Sequence, residues 1–325
     1  MTPSPLLDLV VAARVDDRGQ IMLLDLAAAD GSPLPAFEAG AHVEIHVTEP
    51  STGREFVRAY SLFGDPADHG RYRLGILKDP ESRGGSKALH KVAKAGKSFK
   101  VSLPRNLFPL DMSADETILV GGGIGVTPML AMARALHAAG RKFTLHYCTR
   151  TPDDTAFAAE IASAPYADRV VFHYSRVPGS GRFEPARDLP KPTAGTHLYV
   201  CGPDVFMEAV LSGAKAIGYT DACLHKESFG AEVDVSGAAF EVEAKRSGKT
   251  VTVPEGASIA AALAEAGIPV ALSCEEGVCG TCICDVLEGE PDHRDAFLTD
   301  DEKESGELIA LCCSRAKSKK LVLDI

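Results

Sequence analysis

Short apolar runs recur along the first third of the chain, at Leu6 to Val15, Ile21 to Leu26, His42 to Val47, Phe56 to Leu62, Arg71 to Leu77 and Ser98 to Leu103. Gly, Pro, Asp and Ser separate them. Evenly spaced short strands with turn residues between them predict an antiparallel sandwich or barrel. One helix is predicted near Lys87 to Ala95, stopped by Gly96. From about residue 114 the rhythm changes. ETILV (116–120) reads as a buried strand, followed by GGGIGVTP and an Ala/Leu/Met-rich helix to Ala139, closed by Gly140. FTLHYCT (143–149), VVFHYS (170–175) and HLYVC (197–201) are further strands, with helical patterns between several of them, notably 204–217. Strands alternating with helices predict a parallel α/β sheet.

A third pattern begins near Ala239. FEVEAKRSGKTVTVP reads as a hairpin turning at Ser247-Gly248, Ser258 to Ala266 as a helix stopped by Gly267, and LVLDI as a closing strand. The expected domains are therefore 1–110, 111–229 and 238–325, with the small, polar stretch 230–238 as linker.

Length agrees with this division: 325 residues at roughly 150 per domain make two or three domains. Hydrophobic residues at 45% and charged residues at 24% suit globular protein and exclude disordered or collagenous chains. No apolar run approaches the roughly 20 residues of a membrane helix. The opening MTPSPLLDLVVAARVDD lacks a basic n-region and a small-residue cleavage site, so a cytoplasmic protein with no membrane partner is expected. A net charge of −11 argues against nucleic acid, because phosphate binding favours a basic surface.

The nine cysteines carry the sharpest signal. Cys148, Cys201, Cys223, Cys284 and Cys313 look scattered. Cys274, Cys279 and Cys282 are spaced C-x4-C-x2-C, and Cys312 follows after 29 residues. That is the plant-type [2Fe–2S] ligand pattern, in which one tight loop supplies three thiolates and a second segment the fourth. Gly277 and Gly280 lie inside the loop, where positive φ lets the backbone wrap and aim N–H groups at sulfur. A zinc site fits less well, since only one C-x2-C pair exists. The adjacency of Cys312 and Cys313 leaves the fourth ligand ambiguous from the residues alone, and Cys284 reads as a packed thiol.

SCEEGVCGTC, then GEPDHRD, then CCSRAKS and the terminal LVLDI resemble the ferredoxin domain of the phthalate dioxygenase reductase and vanillate demethylase reductase group. The resemblance implies a multi-domain reductase serving Rieske oxygenases. Its parts would be an antiparallel β-barrel flavin domain, an α/β parallel-sheet NAD domain and an α+β β-grasp ferredoxin domain. It favours Cys312 as the fourth ligand beside Cys274, Cys279 and Cys282.

GGGIGVTP follows a strand and opens a helix, a place where backbone N–H groups and the helix N-terminus suit a pyrophosphate. Thr127 is read as the N-cap and Pro128 as the first helical residue. With Gly121 and Gly123 in place the third glycine of a Rossmann fingerprint is Val126, so that fingerprint does not fit. The pattern resembles the ferredoxin–NADP reductase superfamily, which implies nucleotide contacts from Gly123, Gly125 and Thr127. It also places the Cys201-Gly202-Pro203 motif beside the nicotinamide. Arg58-Ala59-Tyr60-Ser61 matches that superfamily's flavin motif. Arg58 can pair with phosphate, Tyr60 can offer a ring face or hydroxyl, and Ser61 can hydrogen-bond the flavin ring. Arg83-Gly84-Gly85-Ser86 has the composition of an anion nest before a helix. In the family it implies the FMN phosphate site, with Gly75, Ile76 and Leu77 lining the flavin. FMN is preferred to FAD because no adenine platform is evident. Glu227-Ser228-Phe229-Gly230 resembles the segment whose aromatic, here Phe229, covers the flavin. Phe229 reads equally well as a linker aromatic docked on a neighbouring core.

The resemblance favours NADH over NADPH, although Arg150 and the Ser175-Arg176 pair at strand ends could meet a nucleotide phosphate. Hydride transfer demands no acid–base catalyst, so Ser61, Cys201 and Glu227 are candidates for shaping the site. Between Asp285 and Glu307 stand ten acidic and two basic residues. They are read as a docking face for a basic, transient oxygenase partner of a monomeric reductase. Other readings are a reductase for a cytochrome P450, ferric iron or a quinone, and a redox-sensing binder.

Overall fold

The protein is described from a computed structural model covering residues 5–80, 82, 84–229, 233–272, 275, 277, 280–295 and 297–325. It divides into two compact units, Met1–Phe229 and Gly230–Ile325.

The first unit opens with an antiparallel sheet. Its strands are β1 (Leu6–Asp16), β2 (Ile21–Ala28), β3 (Ala41–Thr48), β4 (Glu55–Ser61), β5 (Tyr72–Leu77), β6 (Ser98–Ser102) and β7 (Arg105–Asn106). Their order is β4-β3-β6-β1-β2-β5, with β7 on β3. A bridge between Leu62 and Leu74 brings the two ends together, so the sheet is a nearly closed barrel. Alternate residues point inward, as the two-residue period of a strand requires: Met22, Leu24 and Leu26, Val43, Ile45 and Val47, and Leu74 and Ile76 all lie in its core. Helix α1 (Gly85–Val92) closes one end through Ala88 and Leu89. It begins two residues before the expected Lys87, because Gly84 with φ 115° turns the chain into it.

Ile21 to Leu24 in β2 and Ile76-Leu77 in β5 are continuous apolar stretches because both faces are covered there. Ile21, Leu23 and Leu77 point away from the barrel into a second core, shared with the next sheet. That sheet contains β8 (Glu116–Gly122), β9 (Phe143–Thr149), β10 (Val170–Tyr174), β11 (Thr196–Cys201) and β12 (Leu224–Glu227). It is entirely parallel, in the order β10-β9-β8-β11-β12. Helix α2 (Val126–Ala138) covers one face over Leu119, Leu145 and Tyr199. Helix α5 (Asp204–Ala216) covers the other over Ile118, Val120, Leu198 and Val200. Two shorter helices, α3 (Ala158–Ala162) and α4 (Pro185–Asp188), lie between strands. The strand order reverses between β8 and β11, and such a switch point opens a crevice at the strands' carboxyl ends. Gly121 to Gly125 and Cys201 to Pro203 stand there.

The second unit has the strands β13 (Phe240–Ala244), β14 (Lys249–Val253), β15 (Ile283–Glu288), β16 (Pro291–Asp292), β17 (Leu308–Ala310), β18 (Arg315–Ala316) and β19 (Lys320–Leu323). The main sheet runs β14-β13-β19-β15-β17, with β13 and β19 parallel and the others antiparallel. Helix α6 (Ile259–Glu265) packs on it, capped by Ser258, whose hydroxyl accepts from Ala261 N–H. Helix α7 (Asp300–Ser305) starts from a Thr299–Glu302 capping box. Arg315 is buried, and its guanidinium is satisfied by the carbonyls of Ala257, Gly237, Ala238 and Pro254. No helix among the described residues is long and apolar enough to cross a membrane.

Candidate functional site: a seam between the barrel and the parallel sheet

The RAYS and GGS motifs come together at one end of the barrel. Arg58 projects from β4, its guanidinium 5.3 Å from the Phe56 ring centroid and Nη1 donating to Val57 O at 2.7 Å. Glycine is required on the facing turn. A β-carbon at Gly85 would lie 2.8 Å from Arg58 Cγ and Nε, and one at Gly84 would lie 2.9 Å from Phe56 Cζ. The first N–H groups of α1 have no carbonyl one turn earlier to bond. Beside them, the buried Ser86 Oγ completes no hydrogen bond within the protein. An arginine under a glycine turn, a helix N-terminus and an unsatisfied buried hydroxyl have the chemistry of a phosphate cradle. Arg83 lies outside the described residues.

Gly75 is a second required glycine. A β-carbon there would meet Phe157 Cζ at 2.7 Å, Thr127 Cγ2 at 2.9 Å and Ile124 Cδ1 at 3.3 Å. The Gly75-Ile76-Leu77 strand, the Phe157 ring and the glycine-rich loop therefore converge at this point. Ile76 is fully buried, and its carbonyl oxygen lies 2.9 Å from His90 Nε2. Ala59 is exposed and Tyr60 partly buried against the barrel core.

At the crevice, the glycine-rich loop Gly121 to Gly125 is built by close backbone packing. The space a side chain at Gly125 would need is taken by Cys201 O and Gly202 N, and Gly121 presses on Val126 Cα. Gly122 and Gly202 both abut the Phe206 ring. Helix α2 starts at Val126, with Gly125 in the N-cap position. Thr127 is therefore not the cap the sequence suggested. It lies inside the first turn, its hydroxyl donating to Ile124 O at 2.9 Å and its methyl facing Gly75. A one-turn 3-10 segment, Gly123–Gly125, runs directly into α2, so helical backbone is already established before Thr127.

Cys201 ends β11, paired in register with Gly121 on one side and Glu227 of β12 on the other. It is fully buried, and burial pushes its thiol well above the ordinary value, with the Glu227 charge adding to the effect. Glu227 is partly exposed as a residue, yet its Oε2 is inaccessible and completes no hydrogen bond. Burial raises its carboxyl to about 8; Ser61, facing it from the barrel, pulls weakly the other way. Ser61 Oγ is buried and also lacks a hydrogen bond of good geometry. Two unsatisfied buried oxygens facing one another are rare in a finished core. They fit a bound group that offers hydrogen-bonding atoms between them, and a flavin ring edge is such a group.

Thus Arg58, Gly84, Gly85 and Ser86 meet at one end of the seam. Gly75 meets Thr127 beside Gly123 and Gly125, and Ser61 meets Glu227, which is paired in register with Cys201. Arg150 is exposed at the exit of β9, as is Pro203 after Cys201 and Gly202. Phe229 is 41% exposed, with its neighbour Ser228 donating to Asp204 Oδ1 at 2.9 Å.

In the second unit Cys282 and Cys312 are buried. The Cys312 thiol lies against Cys282 and faces the Gly277 N–H. Gly277 (φ 75°) and Gly280 (φ 73°) both adopt the left-handed backbone expected of them. Cys313 packs under Gly277 and is directed at Ala310 O and Ser314 Oγ. Cys274 and Cys279 lie outside the described residues. Cys284 sits on β15 with its thiol 3.6 Å from Asp285 O, a packed position. The loop rests on buried Asp295, which accepts from Leu298 N–H at 2.8 Å and from Ser314 Oγ at 3.3 Å.

Sequence reasoning missed Phe56 and Phe157, because neither belongs to a motif. Phe157 alone carried a local signal, as a large aromatic directly before a short Ala-rich helix.

Two family models match: the oxidoreductase NAD-binding domain over residues 119–212 and the 2Fe-2S iron-sulfur cluster binding domain over 242–317. The chain is 44% identical to the vanillate O-demethylase oxidoreductase of Pseudomonas sp. (strain HR199 / DSM 7063), with 98% of this chain and 100% of that one covered. Among solved structures it is similar to phthalate dioxygenase reductase, described as modular for electron transfer from pyridine nucleotides to [2Fe–2S]. That match has a TM-score of 0.75 and 39% identity, over 98% of both chains. It is also similar to part of an intact type IV self-sufficient cytochrome P450 monooxygenase, with a TM-score of 0.80 and 35% identity. There 98% of this chain matches 41% of that one. Full-length similarity at this identity, with a barrel, a parallel sheet and a ferredoxin-type domain in the same order, means that the chain belongs to the phthalate dioxygenase reductase and vanillate O-demethylase reductase family of oxygenase reductase components, and is an oxidoreductase.

Proposed function

We propose that the protein is an NADH-dependent reductase. It passes electrons through FMN and a [2Fe–2S] cluster to a Rieske-type aromatic-ring oxygenase or O-demethylase. The observation that carries this reading is the seam at which Ser61 of the barrel faces Glu227 of the parallel sheet, whose register partner on the next strand is Cys201. A donor bound at the crevice and a flavin bound on the barrel would meet there. The working domains are 1–110 for flavin, 111–229 for NAD and 238–325 for the cluster, in a monomer acting in the cytoplasm.

A bound flavin would supply the conversion between a two-electron donor and a one-electron acceptor. Arg58, Gly84, Gly85 and Ser86 hold its phosphate, with Arg83 of the same motif. Tyr60, Ser61 and Gly75 to Leu77 orient the ring. Gly123, Gly125, Thr127, Arg150 and the Cys201-Gly202-Pro203 turn hold the nicotinamide nucleotide, and Phe229 shields the flavin face. Glu227, held protonated near neutral pH, offers a neutral donor rather than a charge at the meeting point. Cys274, Cys279, Cys282 and Cys312 carry the cluster.

The visible spectrum and an anaerobic NADH titration test the reading. Flavin and iron–sulfur absorption should both bleach, and the released flavin should have the mass of FMN. A flavin-free or iron-free protein after reconstitution would refute it.

The similarity to part of a self-sufficient P450 monooxygenase favours one second reading, reduction of a P450 haem. Coupled turnover with a Rieske oxygenase against turnover with a P450 separates the two. The acidic stretch from Asp285 to Glu307 serves as the face for a basic partner. Transfer to the oxygenase should slow steeply with added salt; a flat second-order rate between low and high salt would remove the steering role.

A further inference from the structure

The chain leaving β9 crosses back onto the barrel and is fastened there at several points. Arg18 Nη1 donates to Pro152 O at 3.1 Å, and Phe157 N–H donates to Asp17 Oδ2 at 2.8 Å. Arg73 of β5 grips Glu160 of α3 with two bonds, at 2.6 and 3.1 Å. Arg134 of α2 pairs with the same carboxylate and donates to Phe63 O at 2.9 Å. Between these bonds Phe157 holds φ 61° and ψ 0°. A bulky side chain keeps that left-handed backbone only where its surroundings impose it, and such positions cluster at sites of function.

The surroundings here fix the ring. Phe157 is 1% exposed and stands edge-on to Phe63, centroids 5.0 Å apart at 70°. Its Cζ occupies the space a side chain at Gly75 would need, and Thr127 and Ile124 meet the same spot from the nucleotide loop. The ring is thus wedged where the flavin strand and the nucleotide loop converge.

We propose that Phe157 is a positioning residue for hydride transfer. Its ring is the spacer that sets the separation of strand Gly75–Leu77 from loop Gly123–Thr127, and the Arg73–Glu160 pair is the latch that keeps it there. This rests on the reading of those two segments as flavin and nucleotide elements. The reacting carbon and nitrogen must approach to van der Waals distance, and a misplacement of about 1 Å can cost on the order of a hundredfold in rate.

The test compares full-length Phe157→Leu with Ile161→Ala, a control in the same core, on the helix α3 that follows Phe157, whose side chain is equally buried. In the flavin-free protein, amide hydrogen exchange at Gly75, Ile76, Ile124 and Gly125 should rise in Phe157→Leu, while in Ile161→Ala the rise stays within α3. In the flavin-loaded protein, Phe157→Leu should lower the limiting rate of flavin reduction by about tenfold or more. It should weaken the long-wavelength charge-transfer absorption of the nicotinamide–flavin complex and leave the KM for NADH within about twofold. Unchanged exchange at both segments, or equal effects of the two variants, overturns the spacer role. If the wild-type protein is not reduced by NADH, the functional reading fails instead, and the exchange comparison alone decides whether Phe157 spaces the two segments.

Discussion

Gly85 sits so close above Arg58 that a β-carbon on the glycine would stand 2.8 Å from both Cγ and Nε of the arginine. The two residues are 27 positions apart, yet each decides what the other can do. The glycine leaves the arginine stem its place, and the arginine delivers a fixed positive charge to the mouth of α1.

Gly85→Ala should therefore displace Arg58 and weaken FMN binding by about tenfold or more, while Ser86→Ala removes one donor and costs several-fold. Fluorescence titration of flavin-free protein with FMN measures both. Wild-type affinity in Gly85→Ala would place the phosphate elsewhere.

Glu227 gives a pH dependence whose sign can be worked out. In the unfolded chain it releases its proton near the ordinary glutamate value of 4.5, and in the folded protein near 8. Between those values the unfolded chain binds fewer protons than the folded one, so stability falls as pH rises through that window and levels off above it. In flavin-free protein, Glu227→Gln should flatten the decline of Tm over that window. It should also abolish the infrared carbonyl band of a protonated carboxyl at pH 7. A wild-type protein without that band would mean the carboxylate is ionised.

Cys201→Ala removes a fully buried thiol from the crevice floor without touching Arg58, Gly85 or Ser86. Flavin content should stay at the wild-type level while the rate of flavin reduction by NADH falls, by roughly 10- to 100-fold if the nicotinamide shifts by a fraction of an ångström. Stopped-flow reduction measures this. Unchanged kinetics would take Cys201 out of the reacting site.

The adjacent pair Cys312 and Cys313 is separable by substitution. Cys312, against Cys282 and facing the Gly277 N–H, should be indispensable: Cys312→Ser should lose the [2Fe–2S] absorption and electron-paramagnetic signal. Cys313, directed at Ala310 O and Ser314 Oγ, should tolerate serine with the cluster retained. The opposite pattern would exchange their roles.

Much of this was legible in the residues because it is local. The cluster loop depends on ligand spacing and on glycines at Gly277 and Gly280, and both adopt the positive φ that the loop demands. Strand positions followed from runs of apolar residues. Helix α2 begins two residues before the expected Pro128, because Gly123–Gly125 forms a 3-10 segment that packs against Cys201 and Gly202 and runs directly into the helix, overriding the cap preference of Thr127.

By itself, then, the sequence determined the three kinds of architecture and the family, since each is written in residues close together along the chain. Only the tertiary structure decided which motifs meet. Ser61 faces Glu227 across 166 positions, and Phe157 reaches Gly75 across 82. Such contacts arise from the way two sheets share one core, through Ile21, Leu23 and Leu77 on one side and Leu119 and Tyr147 on the other. No local spacing encodes them, because burial rewards any apolar surface alike and only the close packing of this particular pair of faces selects the register.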